Sequence, residues 1–129
     1  MRTIKFRAWD TKNKKWIDDF LIQDDGSVCR YGMFETLDSI NNVVLMQFTG
    51  LHDKNGKEIW EGDILEHNNS LYPKGFKGWA SKSVVRWNSK TASFDMGRYG
   101  EEEAGGSILT EVIGNIYENP ELLNGDKNE

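Results

Sequence analysis

The chain of 129 residues is cut by turn chemistry into stretches too short for ordinary helices. Asp53-Lys54-Asn55-Gly56 is the strongest local signal. Asn-Gly between extended segments reads as a type I′ hairpin turn, because both central positions of that turn need positive φ. Asp24-Asp25-Gly26-Ser27 reads the same way. Polar breaks recur at residues 10–15, at Glu61-Gly62-Asp63 and at Asn88-Ser89-Lys90. What lies between them alternates or is β-branched. Ile4, Phe6 and Ala8 share one face of a first strand, and Trp16-Ile17 starts a second that resumes at Phe20-Leu21-Ile22. Further strands are predicted over 28–33, 43–48, 64–67, 83–87, 92–96 and 108–117, the last interrupted by Gly114. Residues 34–42 are ambiguous: Phe34, Leu37 and Ile40 have the spacing of a helical turn or two. Asn119-Pro120-Glu121 has helix-start chemistry, with Gly125 as the stop. The fold class is mainly β, a barrel or sandwich with short helical turns.

Composition narrows function more than it selects one. A single cysteine, Cys29, excludes a disulfide framework and a multi-cysteine metal cluster. The longest apolar run is Val43-Val44-Leu45-Met46, far short of the roughly 20 residues of a membrane span, and Met1-Arg2-Thr3-Ile4-Lys5 is followed by no apolar signal region. The reading is a cytoplasmic protein with no membrane partner. Net charge is −5, which argues mildly against a duplex-DNA binder. That figure averages unlike parts: residues 67–100 net +5 and residues 101–129 net −7.

The basic window interleaves cations with rings. Tyr72, Lys74, Phe76, Lys77, Trp79, Lys82, Arg86, Lys90 and Arg98 form a candidate partner or nucleic-acid surface, with Trp87 and Phe94 in the same window. Cations that track phosphates beside rings that stack bases are the equipment of single-strand binding. The plainer reading is core aromatics and solvated lysines. The acidic stretch 101–129 reads as either a docking segment or a solubilising tail. His52, Asp53, Asp63, Glu66 and His67 are neighbours in sequence, but no pair has a metal-ligand spacing. Cys29 and the serines lack a nucleophile elbow, and no phosphate-binding or dinucleotide glycine pattern is present. No catalytic residue, cofactor or metal ligand is assigned, and the chain is read as a non-enzyme.

The stretch TGLHDKNGKEIWEGDIL at residues 49–65 resembles the signature of the YopX-like family of phage and prophage proteins. IKFRAWD at residues 4–10 and VIGNIYENPELL at residues 112–123 resemble that family's two ends, in family order. The resemblance implies an SH3-like β-barrel core and a phage or prophage origin, and it implies no activity. Under it the chain is one domain over 1–129: an N-terminal β-hairpin region at 1–48, an SH3-like barrel at 49–123 and a frayed tail at 124–129. Phe6, Trp9, Phe48, Trp60 and Tyr117, within the matched blocks or beside them, are assigned to the core. The function expected is a binding or assembly module in a bacterial host's cytoplasm, self-associating or engaging an unknown phage or host protein. The alternative is a single-strand nucleic-acid accessory protein using residues 72–98.

Overall fold

The tight hairpins among the described residues are closed alike: an Asp or Asn side-chain oxygen accepts from turn N–H, and one left-handed residue ends the turn. The computed structural model describes residues 2–32, 37–67, 82–96 and 110–128. Twelve short strands occupy them, with a 3-10 helix at Pro120–Asn128 and no other helix among the described residues, so the mainly β class holds.

Two compact units divide the chain. In the unit Lys5–Gln47, β1 (Phe6–Asp10) lies between β2 (Lys15–Ile17) and the first half of β6 (Val43–His52), both antiparallel. A second sheet has the order β3 (Leu21–Ile22), β4 (Val28–Tyr31), β5 (Leu37–Ser39). Ala8, Trp9, Ile17, Val28, Cys29 and Met46 are the buried apolar residues of this unit among the described residues. Within the ambiguous stretch 34–42, of which residues 34–36 lie outside the described residues, Leu37–Ser39 is a strand: Leu37 pairs with Tyr31 and Ser39 with Cys29. Pairing to β4 outweighs a spacing of three that is too brief to bury a helix face. The second predicted strand is also two, since β2 and β3 belong to different sheets. Phe6 is 37% exposed, against its assignment to the core. β2 pairs only with Ala8 to Asp10, so Phe6 lies beyond the strand that covers its neighbours.

The unit formed by Phe48–Glu129 with Met1–Ile4 holds the rest. The end of β6 pairs with β7 (Glu58–Trp60), a register shift between Phe48 and His52 falling around Gly50, whose φ is +88°. β8 (Asp63–His67) runs between β12 (Thr110–Asn115) and β9 (Lys82–Val84), followed by the hairpin of β10 (Arg86–Asn88) and β11 (Ser93–Asp95). Ile59, Leu65, Val85 and Val112 form the core cluster, with Leu51, Phe94 and Met96 packed on it. β8 is paired on both edges, and its successive residues Ile64 and Leu65, on opposite faces, are both fully buried, each contributing about 2 kcal/mol. The strand predicted over 83–87 breaks at Val85. Its N–H donates to the Asp63 carbonyl and its carbonyl accepts from Gly62 N–H, so its backbone serves the bend instead of a ladder.

Neither Asp-Gly nor Asn-Gly makes the predicted primed turn. Gly26 and Gly56 have φ of +89° and +81°, whereas Asp25 and Asn55 are not left-handed. Gly26 N–H donates to the Gln23 carbonyl and Gly56 N–H to the Asp53 carbonyl, which with the left-handed glycine is a type I turn closed by a G1 bulge. The other two hairpins use longer loops with Lys14 (φ +55°) and Ala92 (φ +52°) as the left-handed residue. Asp10 Oδ1 accepts from Lys12 and Asn13 N–H, and Asn88 Oδ1 from Lys90 and Thr91 N–H. Pro120 opens the 3-10 helix as expected, yet the helix passes Gly125 to reach Asn128. Glycine costs helix propensity without terminating a turn by itself. No helix among the described residues is long and apolar enough to cross a membrane.

Candidate interaction surfaces

Of the nine residues in the predicted basic-aromatic surface, Lys82, Arg86 and Lys90 are described; Tyr72, Lys74, Phe76, Lys77, Trp79 and Arg98 lie outside the described residues. The three do different work. Lys82 is half-buried and its Nζ donates to the Leu122 carbonyl at 3.0 Å, which ties β9 to the C-terminal helix. Arg86 and Lys90 are exposed on and beside the β10–β11 hairpin, with Asp95 directly across from Arg86. Trp87, omitted from the nine, is 49% exposed. Its ring meets Phe94 edge-on, centroids 5.1 Å apart and planes at 72°. Alternation in β10 puts Trp87 on the face opposite Arg86 and Asn88. Phe94 is the inner partner that packs on the core, and Trp87 is the outer one. The strand period made this legible in the sequence, provided the strand was started at Arg86.

A second exposed surface lies in the unit Lys5–Gln47. Leu21, Ile22 and Tyr31 are 38%, 39% and 66% exposed, all on the β3–β4 hairpin, and β3 is an edge strand. Val28 and Cys29, directly across from Ile22 and Leu21, are buried, so the edge strand exposes apolar side chains where its partner strand is covered.

The residues weighed as an acid–base or metal group are dispersed into structural tasks. Asp53 is 4% exposed. Its Oδ1 accepts from Asn55 and Lys57 N–H at 2.8 and 2.9 Å, and its Oδ2 reaches Val112 N–H of β12 at 2.9 Å. Burial pushes this carboxyl up, and the N–H groups of Val112, Lys57 and Asn55 more than offset it, holding the group below the ordinary carboxylate range. Asp63 Oδ2 accepts Trp60 N–H across the Glu61-Gly62 bend. His52 stacks edge-on against Phe48. His67 is buried, its Nδ1 3.2 Å from Thr110 Oγ1 and its Nε2 2.8 Å from Ser83 Oγ. Each hydroxyl can donate or accept, so either tautomer is satisfied, and the ring ties β8 to β9 and β12. No three His, Cys, Asp or Glu among the described residues are placed to hold a metal ion. In the acidic stretch, Glu111 accepts from Asn55 Nδ2 and Glu118 from Asn115 Nδ2, so two of its carboxylates brace turns.

The sequence matches the profile of the YopX protein family over residues 5–124. The crystal structure of protein EF1440 from Enterococcus faecalis is similar, at 31% identity and a TM-score of 0.61, over 95% of this chain and 99% of that one. The crystal structure of protein yopX from Bacillus subtilis aligns at 21% identity and a TM-score of 0.44, over 95% of this chain and 98% of that one. No curated protein matches the sequence.

Proposed function

The chain belongs to the YopX family, its match spanning residues 5–124, and from that premise we propose that it is a phage- or prophage-encoded binding and assembly module. In this reading it is non-enzymatic, works in the cytoplasm of a bacterial host, and self-associates. The SH3-like closure of residues 49–123 is part of the same reading. The observation that carries it is the β3–β4 hairpin, where an edge strand of two residues exposes Leu21 and Ile22 beside Tyr31. Unpaired strand edges with exposed apolar side chains are templates for another chain. Light scattering at micromolar concentration tests it. An oligomer in the wild type that becomes a monomer in Leu21→Asp/Ile22→Asp supports the reading. A clean wild-type monomer overturns it.

A second reading, a surface for single-stranded nucleic acid, is favoured by one observation: the half-exposed Trp87 ring on the same β10–β11 hairpin that exposes Arg86 and Lys90. Stacking of one base on such a ring is worth about 1–3 kcal/mol. Anisotropy of a labelled single-stranded oligonucleotide at low salt decides it. Binding that weakens with salt and is lost in Trp87→Ala supports it, and binding absent or indifferent to salt sinks it.

A further inference from the structure

Four of the six large apolar side chains exposed among the described residues fall in two short stretches. Leu21 and Ile22 make up β3, an edge strand, and Ile4 and Phe6 stand where the chain enters β1. Successive residues of a strand face opposite ways, so the exposure of both Leu21 and Ile22 leaves each face of β3 accessible. Gln23 N–H donates to the Ser27 carbonyl across the hairpin. By alternation, Phe20 and Ile22 turn their N–H and C=O away from β4, towards the edge of the sheet.

This edge is also charged. Asp18 and Asp19 precede β3, Asp24 and Asp25 follow it, and residues 18–25 contain no cation. Two copies of β3 laid antiparallel would set like charges face to face. With Ile22 opposite Ile22, Asp19 meets Asp25; with Ile22 opposite Phe20, Asp18 meets Asp24. Like charges directly opposite are destabilising. The edge therefore suits a strand that brings apolar side chains together with cations.

Arg2-Thr3-Ile4-Lys5-Phe6 is such a stretch. Arg2–Lys5 lie in no strand or helix, and Ile4 is 56% exposed. When extended, the stretch puts Arg2, Ile4 and Phe6 on one face. Its backbone faces the right way too. Lys14 N–H donates to the Asp10 carbonyl, so by alternation Asp10, Ala8 and Phe6 turn their N–H and C=O to the β2 side, and β2 stops short of Phe6. Continued through Ile4 and Arg2, that edge is matched in phase to Phe20, Ile22 and Asp24.

We infer that the segment Arg2–Phe6 of one copy pairs antiparallel with β3 of a second copy, Ile4 opposite Ile22. In this register Phe6 meets Phe20 and Arg2 meets Asp24, and Lys5 stands over Leu21, diagonal to Asp19. Main-chain bonds to the sheet edge supply affinity, and the side-chain pairs set register. Donor and acceptor are different stretches, so the contact is heterologous. The inference rests on the assembly reading and names the occupant of its β3 edge.

Sedimentation equilibrium of the full chain tests it. The wild type is expected to associate at micromolar concentration, and Ile4→Asp to weaken association about tenfold, as a charge enters an apolar contact. Arg2→Asp and Asp24→Arg should each weaken it about fivefold, the scale of one exposed ionic contact, and the chain carrying both should recover the wild-type constant. Arg2, Ile4 and Asp24 are exposed, and circular dichroism checks folding. Should Ile4→Asp disturb the fold, the charge exchange decides. A wild-type monomer, or an oligomer that survives Leu21→Asp/Ile22→Asp, overturns the pairing together with the assembly reading. An oligomer lost in Leu21→Asp/Ile22→Asp but unchanged in Ile4→Asp overturns the pairing alone. So does a double charge exchange that fails to recover association.

Discussion

The turn at residues 23–27 and the turn at residues 53–57 follow one backbone path, with an i to i+3 hydrogen bond and a left-handed glycine, Gly26 or Gly56, before the returning strand. Their aspartates differ. Asp25 is exposed and accepts from Ser27 N–H and Oγ, two residues away. Asp53 is buried and spends one oxygen on its own turn and the other on Val112, 59 residues later. Both carboxyls sit below their ordinary value: at Asp25 the Ser27 hydroxyl and N–H do it, and at Asp53 three N–H groups outweigh burial. The difference teaches that turn chemistry is local, while the stability a turn residue contributes depends on what reaches it from elsewhere in the chain.

The largest break in this comparison is Asp53→Ala. It strips a buried N–H of its acceptor and removes charge-assisted bonds, so a loss of about 3 kcal/mol is expected from urea denaturation. Asp25→Ala should leave the denaturation midpoint unchanged within error, because water replaces the carboxylate at an exposed turn. An equal loss at both sites would show that the turn and not the remote bond carries the effect.

The strand that receives Asp53 supplies the next test. β12 is bulged between Val112 and Gly114, and a Cβ at Gly114 would lie 2.6 Å from Asn119 Oδ1 and 2.9 Å from Leu122 Cδ1. Asn119 Oδ1 also accepts Asn115 N–H, so moving it aside breaks a bond. Gly114→Ala should cost about 1–2 kcal/mol, from overpacking.

Gly26→Ala and Gly56→Ala probe what the two turns share. A methyl group added at either glycine would meet no atom within 4 Å, so only the positive φ opposes the substitution. Each should cost about 1 kcal/mol, and equally, by thermal melting. A much larger cost at Gly56 would mean that the Asp53 network senses turn geometry.

The smallest effect is in pH. A carboxyl whose folded pKa is lowered stabilises the fold above its unfolded pKa, near 3.9, and that stability is lost as pH falls through the lower folded value. The wild type should therefore lose stability below about pH 4. Asp53→Ala should flatten that slope and Asp25→Ala should not, because an exposed carboxylate is screened by water and salt.

Strands and turns were legible in the residues because alternation and turn formers act over two to five positions. Asp10, Asp25, Asp53 and Asn88 stand where turns form, and Gly114 marks the break in β12. The candidate basic-aromatic surface was legible only in part. Basic residues near aromatics announced a candidate, yet nothing local says that Lys82 is committed to the Leu122 carbonyl or that Trp87 lies outside Phe94. A pocket lined by residues 15–19 and Arg30 was not legible, since these residues come together only through the packing of two sheets of one unit.

The sequence by itself determined that the chain is mainly β, where it turns, and to which family it belongs. Those properties rest on short-range spacing and on residue identity. The tertiary structure decided that residues 37–39 pair as a strand, that Phe6 is exposed, and that His67 joins two hydroxyls in the interior. Each of these depends on a partner far away in sequence: a neighbouring strand to pair with, a strand that stops short of covering, or a buried N–H in need of an acceptor.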